Sequence, residues 1–279
     1  MEGYVFAAVL FAALMHASWN AIVKIGLDRV STMLLLTIAQ GVIALPLLPV
    51  APRPDPAAWP WIAGSALLHT GYKLLLVRAY AHADLSQAYP LARGTAPVVV
   101  ALLSVWVLGA RFEPAALIGI AAISAGLLAM ALGGPREGRM SGLAIGYALA
   151  TAGFTVGYTM VDGVGARIAG TAAGFILWAF VLDAAVMVSL AAASRGRAAF
   201  TALRPGWRAG TVAGALSLGS YWIAVWAFTQ APIALVAALR ETSILFATLI
   251  SATVLRERVG PGRWAAVASI AGGVVLMRL

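Results

Sequence analysis

The chain has 279 residues, of which 62% are hydrophobic and 10% are charged. A soluble core cannot bury so large an apolar fraction, so the composition excludes a soluble globular protein and predicts an integral membrane protein. The net charge of +9 does not indicate nucleic-acid binding, because the basic residues lie mainly in short loops and at helix ends, and the absence of cysteine excludes disulfides and thiolate-bound metals.

Ten apolar stretches run along the chain. A helix needs about 20 apolar residues to span the hydrocarbon core, whereas a barrel strand needs only about 10 alternating ones. The first stretch has Glu2 and no Lys or Arg ahead of it, and we interpret it as a retained helix rather than a cleaved signal. The predicted class is an all-α integral membrane protein with ten transmembrane helices. These are residues 3–25, 32–50, 59–81, 86–108, 114–133, 141–161, 171–193, 208–230, 233–255 and 261–277.

The last third of the chain repeats part of its first half. Nine residues recur with the same type 147 positions later: Arg93, Thr95, Ser104, Leu108, Arg111, Pro114, Ile123, Gly126 and Met130 match Arg240, Thr242, Ser251, Leu255, Arg258, Pro261, Ile270, Gly273 and Met277. Each unit holds five predicted helices, an odd number, so the two copies enter the bilayer in opposite orientations. We predict a first five-helix inverted repeat at 1–133, a connecting loop at 134–140 and a second repeat at 141–279.

The loop charges predict the orientation of the chain. Loops on one side of the ten-helix arrangement hold twelve Lys and Arg residues, and those on the other side hold four. Cytoplasmic loops carry an excess of these residues, so the richer side, which includes the loop 194–208, is predicted to be cytoplasmic. Because the number of helices is even, both termini are predicted to lie outside the cytoplasm.

Five charged residues lie near the middle of the predicted spans: Lys73, Arg93, Asp183, Arg240 and Glu241. A charge at the bilayer centre costs about 2.5–3.5 kcal/mol on insertion scales, so such groups face a cavity or a partner. Three cations against two carboxylates leave one positive charge in surplus, which would suit a substrate carboxylate. Arg93 and Arg240 are equivalent in the repeat, and they either line a cavity or bond helix-end carbonyls.

Arg240 and Glu241 are adjacent and differ by about 100° around a helix, so they cannot both point along one radius. One of them is expected to line the cavity while the other pairs with a neighbouring helix, and the sequence leaves open which.

Aromatic residues and histidines mark candidate cavity faces. Trp19, His69, Tyr72, Tyr221 and Trp222 lie deep in their predicted helices, where they either line a cavity or pack in the core. His69 is the best placed histidine for a substrate hydrogen bond or a titrating group. The three histidines are far apart in sequence, with no carboxylate at ligand spacing, so no metal site and no cofactor are predicted.

The fourth helix is the predicted gate. It contains Pro90, Gly94 and Pro97, which remove backbone donors and permit bending, and the ninth helix lacks matching prolines. Kinked segments near a substrate site let one half of a transporter open while the other closes.

The motifs in this order resemble the drug/metabolite transporter superfamily, in its ten-helix form with two EamA-type halves. Trp19-Asn20 followed by Lys24 is similar to the opening of the family's first helix. Pro97-Val98 before Leu102-Leu103 and Leu108-Gly109 is similar to its fourth helix, and Leu255-Arg256-Glu257-Arg258 before Gly272-Gly273 resembles its Leu-Gly-Glu-Arg turn. Three features depart from the family's pattern. Ala110 stands where the first-half turn has an acid, Ile244 stands where the second half often has Pro, and the first helix lacks a membrane-embedded glutamate. Proton coupling through such a glutamate is therefore not inferred.

The resemblance implies a secondary transporter that exports small metabolites across the inner (plasma) membrane by alternating access. Amino acids, including aromatic ones, are the preferred substrates, as in the YddG-like exporter branch; drugs, nucleotide sugars or other metabolites are the alternative. The predicted substrate contacts are Trp19, His69, Tyr72, Arg93, Tyr221, Trp222, Arg240 and Glu241. An intramembrane enzyme is the alternative from another class, and no catalytic residues are assigned. The expected partners are a small molecule and the bilayer, without nucleic acid, and a monomer is expected rather than a dimer.

Overall fold

The computed structural model of the protein describes residues 1–24, 28–82, 85–132, 140–254, 256 and 259–278. Within these ranges the chain is helical and contains no strand. The first half forms α1 (Gly3–Lys24), α2 (Arg29–Ala44), α3 (Trp59–His82), α4 (Leu85–Trp106) and α5 (Pro114–Leu132). The second half forms α6 (Gly142–Ile168), α7 (Ala172–Arg195), α8 (Arg197–Thr201), α9 (Trp207–Gln230), α10 (Ile233–Arg240), α11 (Ser243–Thr253) and α12 (Pro261–Leu276).

Eight helical segments in the described part of the chain are long and apolar enough to cross a membrane. α3 and α12 are not among them. α3 carries several charged and polar side chains, and the 16 residues of α12 are few for a span. The architecture is therefore that of an all-helical, multi-pass membrane protein.

Side-chain caps fix the starts of three helices. Asp28 accepts hydrogen bonds from the amides of Val30 and Ser31 at 3.1 Å, which begins α2. Hydrogen bonds from Ser31 also lower the pKa of the Asp28 carboxylate. In the same way Ser141 begins α6 and Thr171 begins α7, because their hydroxyls accept otherwise unsatisfied amide protons of the first turn.

The helices of the two halves pack against each other in pairs. α3 lies along α6 and α1 along α9, while α2 packs on α7 and α5 on α12. α5 and α12 are antiparallel, because Gly119 lies against Gly273 whereas Gly126 lies against Ala266. A Cβ at Gly119 would come within 2.6 Å of the Gly273 carbonyl oxygen, so the two backbones meet directly.

Large apolar side chains also cover the outside of the bundle. Trp106 is 77% exposed and Val42 is 64% exposed, as expected where the neighbour is lipid rather than water. The interior instead combines apolar residues with fully buried charged groups, which lie between the two halves.

Two helices of the second half differ from the sequence prediction. α6 continues seven residues past the predicted end at 161, which brings Asp162 and Arg167 into the helix. Arg167 donates to the carbonyls of Phe228 and Ala231, both at 2.9 Å, and so caps the end of α9. The predicted ninth helix, 233–255, is divided into α10 and α11. The connecting loop 134–140 lies, except for Met140, outside the described residues.

Candidate functional site

The break between α10 and α11 lies at Glu241 and Thr242, inside the protein. Their amides bond three residues back, to the carbonyls of Ala238 and Leu239 at 3.1 Å, which tightens the end of α10. The Thr242 hydroxyl also donates to the Leu239 carbonyl at 2.7 Å. Backbone groups freed by the break are thus satisfied internally, as interrupted helices within a membrane require.

Arg93 and Glu241 join α4 to this break. Arg93 donates through Nε to Glu241 Oε2 at 3.0 Å and through Nη2 to Oε1 at 2.8 Å. Both side chains are almost fully buried, so the pair is a desolvated bidentate ion pair between the two halves. Glu241 is therefore the residue that pairs with a neighbouring helix, which answers the question left open by the sequence.

Arg240 lies on the other side of the same turn. Its Cζ lies 4.6 Å from the centre of the Tyr221 ring, in cation–π geometry. Among the residues that the structure describes, no carboxylate lies within ion-pair distance of Arg240. Arg240 is therefore a buried cation held against an aromatic face rather than against an acid.

Asp162 on α6 forms a second polar cluster with α3 and α9. Its Oδ2 accepts from the Tyr221 hydroxyl at 2.5 Å and from His69 Nε2 at 2.9 Å. Asp162 is fully buried, and its Oδ1 atom has no hydrogen-bond partner among the described residues. This carboxylate is half satisfied, which is costly in an apolar interior.

A third buried pair lies between α3 and α7. Lys73 bonds one carboxylate oxygen of Asp183, and Thr70 donates to the other at 2.7 Å. Both oxygens of Asp183 are thus satisfied, and the pair ties the two helices together.

Aromatic rings surround His69. Tyr158 stacks on it with ring centres 4.2 Å apart, and Tyr221 meets it edge-on at 5.0 Å. Tyr72 in turn meets Tyr158 edge-on at 5.5 Å. α3, α6 and α9 together therefore present a wall of rings and hydroxyls next to the buried charges.

A small cavity lies among α4, α6 and α10. The space available to the centre of a water molecule is about 10 Å³, enough for one water and too little for a metabolite. Its lining includes both arginines, Glu241 and Pro97.

The structure brings most of the predicted contacts together. His69, Tyr72, Arg93, Tyr221, Arg240 and Glu241 form connected clusters at the interface of the two halves.

Trp19 and Trp222 lie further out. Trp19 is buried against Leu36 and Ala213, and its ring meets that of His16 edge-on at 5.0 Å. Trp222 is half-buried and packs on the main apolar core.

The sequence predicted a surplus of one positive charge in the interior, and this prediction is wrong. Asp162 is fully buried, so three interior carboxylates balance Lys73, Arg93 and Arg240. The error arose because the predicted sixth helix ended at residue 161. A signal was present, since Thr155, Tyr158, Thr159 and Asp162 are spaced i, i+3, i+4 and i+7 and mark one polar helix face.

The predicted gate residues lie in an unbroken helix. α4 continues from Leu85 to Trp106 through Pro90 and Pro97, whereas the helix without prolines is the interrupted one. Pro97 lines the cavity, and Gly94 allows α4 to approach α5 closely. A gating role for these residues stays a prediction.

No group of three or more His, Asp or Glu side chains in the described ranges is arranged to hold a metal ion.

The fold, the apolar outer surface and the buried charges define a multi-pass integral membrane protein. Residues 3–132 match the model of the EamA-like transporter family. No curated protein matches the sequence. A solved structure described only as the crystal structure of a protein is similar over 98% of this chain and 94% of that chain, with a TM-score of 0.70 and 17% identity. At that identity the likeness shows a common fold alone.

Proposed function

We propose that the chain is a secondary transporter that exports small metabolites across the inner membrane by alternating access. The carrying observation is the buried polar site between the two halves, to which α3 and α4 contribute from the first half and α6, α9 and α10 from the second. A site that both halves reach can be opened to either side when one half moves relative to the other. The family matched by residues 3–132 consists of transporters, which supports the same function.

Symmetric contacts support two inverted five-helix repeats, and with them ten spanning helices. Gly126 lies against Ile270, and Gly273 lies against Ile123. Gly126 of α5 is equivalent to Gly273 of α12 in the 147-residue repeat, and Ile123 is equivalent to Ile270. The second contact is therefore the repeat equivalent of the first. Equivalent pairs that meet in antiparallel helices are what a two-fold axis in the membrane plane produces.

A second symmetric contact lies between other helices. Gly71 of α3 lies against Phe154 of α6, and Gly219 of α9 lies against Met15 of α1. Gly71 and Gly219 are matched in the sequence repeat at a spacing of 148. The pairing of α3 with α6 therefore corresponds to that of α9 with α1, which supports the same axis.

The chemistry of the site favours amino acids, including aromatic ones, as substrates. Arg240 is a buried cation without a bonded acid, and rings of Tyr72, Tyr158 and Tyr221 lie beside it or around His69. A carboxylate and an aromatic side chain would find matching groups there. Assignment to the YddG-like branch belongs to this proposal.

Transport assays with purified protein in liposomes test the proposal. We expect counterflow of radiolabelled tryptophan and phenylalanine, and none in liposomes without protein. A parallel panel of cationic drugs and nucleotide sugars measures the alternative substrates. Exchange of those compounds, with no exchange of any amino acid, would contradict the proposed substrate class.

Trp222→Ala tests the outer aromatic part of the predicted site. Trp222 is half-buried at the edge of the core, so its truncation should leave the protein folded. If its indole stacks on the substrate during transport, tryptophan exchange falls by about tenfold, since aromatic stacking contributes about 1 kcal/mol or more. Trp264→Ala, on the exposed surface of α12, is the matched control. Equal exchange in both variants would remove Trp222 from the site.

A further inference from the structure

Among the described residues, six Lys, Arg, Asp and Glu side chains are buried between the halves, and they are paired unevenly. Arg93 is bonded to Glu241 and Lys73 to Asp183, so four of them neutralise each other directly. The remaining cation, Arg240, and the remaining acid, Asp162, have opposite charges and lie in the same interior. In the described part of the chain no ion pair joins them.

Tyr221 stands between Arg240 and Asp162. The guanidinium of Arg240 lies over its ring at 4.6 Å, while its hydroxyl donates to Asp162 Oδ2 at 2.5 Å. One tyrosine thus holds a cation on its face and an anion at its tip. The two charges stabilise each other only across the length of that side chain, which is a weaker interaction than direct contact.

Asp162 and Arg240 can each form hydrogen bonds that no described side chain supplies. All hydrogen bonds to Asp162 fall on Oδ2, and Oδ1 is buried without a donor. The guanidinium of Arg240 can donate several hydrogen bonds, yet it has no bonded acceptor among the described side chains. Burying a charged group without hydrogen-bond partners destabilises the folded protein, unless a bound molecule supplies those partners.

We propose that Arg240 and Asp162 are the two poles of a site for a zwitterion, binding the carboxylate and the ammonium group of an amino acid. This inference rests on the proposed transport function and narrows its substrate class to molecules that carry both charges. Asp162 rather than Glu241 accepts the ammonium group, since both oxygens of Glu241 are engaged by Arg93. Drugs with one charge and nucleotide sugars satisfy only one pole.

The position of Asp162 agrees with this role. It follows Tyr158 and Thr159 on the same face of α6, and both of these line the cavity together with Arg240. The cavity is too small for an amino acid, so the zwitterion enters when α10 and α6 separate. Tyr221 then stays between the poles as the surface along which the substrate lies.

Binding assays on purified protein in detergent can test each pole separately. The probes are L-tryptophan, which carries both charges, tryptamine, which carries the ammonium group, and indole-3-propionate, which carries the carboxylate. We expect the wild type to bind tryptophan at least about tenfold more tightly than either analogue, since a hydrogen bond between charged groups contributes about 1.5–3 kcal/mol.

The variants should have opposite effects. Asp162→Asn should weaken binding of tryptophan and tryptamine about tenfold or more and leave indole-3-propionate unchanged. Arg240→Gln should weaken binding of tryptophan and indole-3-propionate and leave tryptamine unchanged. The double variant Lys73→Met/Asp183→Asn is the control, because it removes one cation and one acid of the same core as a bonded pair. It should bind all three probes as the wild type does.

The outcomes separate this inference from the proposed function. A wild type that binds no amino acid of any kind refutes the proposed substrate class. Tryptophan affinity unchanged in Asp162→Asn, or equal loss of both analogues, refutes the two poles while the function stands. If Asp162→Asn keeps its affinity for tryptophan but proteoliposomes that contain it no longer accumulate tryptophan in response to a pH gradient, Asp162 carries a proton instead. Should Asp162→Asn fail to fold, as judged by size-exclusion chromatography, Arg240→Gln alone decides between selective and uniform loss.

Discussion

At the scale of single residues, the interior is organised by charge. Arg93 and Glu241 are each nearly inaccessible to solvent and satisfy each other through two hydrogen bonds. Transfer of either charge alone into an apolar interior would be far more costly than transfer of the bonded pair. This explains why two formally charged residues persist at the end of α10 and on α4, where apolar residues would insert more easily.

The first prediction concerns this pair. Arg93→Ala leaves Glu241 buried without a partner and should lower the free energy of unfolding by about 3–5 kcal/mol. The double variant Arg93→Met/Glu241→Gln removes both charges and should recover most of that loss. Unfolding in detergent, followed by circular dichroism, measures both in a double-mutant cycle. A double variant no more stable than Arg93→Ala would show that the pair is not the origin of the loss.

At the scale of elements, small residues decide how closely the two halves approach. α5 and α12 meet backbone to backbone, and the Ser269 hydroxyl crosses between them to the Ala122 carbonyl at 2.9 Å. Ser269 and Ala122 are 147 residues apart, the spacing of the sequence repeat. Without a hydrophobic driving force between helices in lipid, such close van der Waals contact supplies much of their association.

Gly273 provides the second prediction. A Cβ at this position would lie 2.6 Å from the Gly119 carbonyl oxygen, which is backbone and cannot rotate away. Gly273→Ala should therefore destabilise the protein by about 1–3 kcal/mol. The neighbouring Gly272→Ala is the matched control, because nothing lies within 4 Å of its added Cβ. Thermal unfolding in detergent should separate the two variants, and equal midpoints would argue against the close contact of α5 with α12.

At the scale of the whole molecule, orientation follows from the loops rather than from the packing. A bundle inserted in the opposite orientation has the same internal contacts. The charge of the loops is therefore the physical signal that distinguishes the two orientations. The segment from Ser194 to Arg208 connects α7 to α9 through the short helix α8. Besides Arg208 itself, it carries Arg195, Arg197 and Arg204. Members of the resembled superfamily are often drawn with cytoplasmic termini, and the basic loops here argue the reverse.

The third prediction is that Leu279 lies outside the cytoplasm. A reporter that fluoresces only when it folds in the cytoplasm should stay dark when fused after Leu279. The same reporter placed after Arg204, within the basic loop, should fluoresce. Comparable amounts of both fusions in the membrane, measured by immunoblot, make the comparison valid, and the reversed pattern would contradict the predicted orientation.

The sequence by itself determined the class of the protein, the positions of its helices and much of the polar inventory. Apolar stretches of spanning length are a local property, so their number of residues and composition predict helices in a membrane without reference to neighbours. The described helices start within three residues of every predicted stretch. Arg93, Arg240 and Glu241 were recognised in the same way, because a charge inside an apolar stretch is visible in the sequence alone.

Only the tertiary structure decided which of these groups bond to each other. Arg93 pairs with a residue 148 positions away, and Asp162 meets His69 and Tyr221 from two other helices. Such contacts depend on how helices pack, which no local sequence pattern reveals. The break at Glu241 was also hidden, since no proline or glycine marks it. The sequence therefore predicted that charges lie within the membrane, and packing determined that Arg240 and Asp162 bond to no Lys, Arg, Asp or Glu side chain among the described residues.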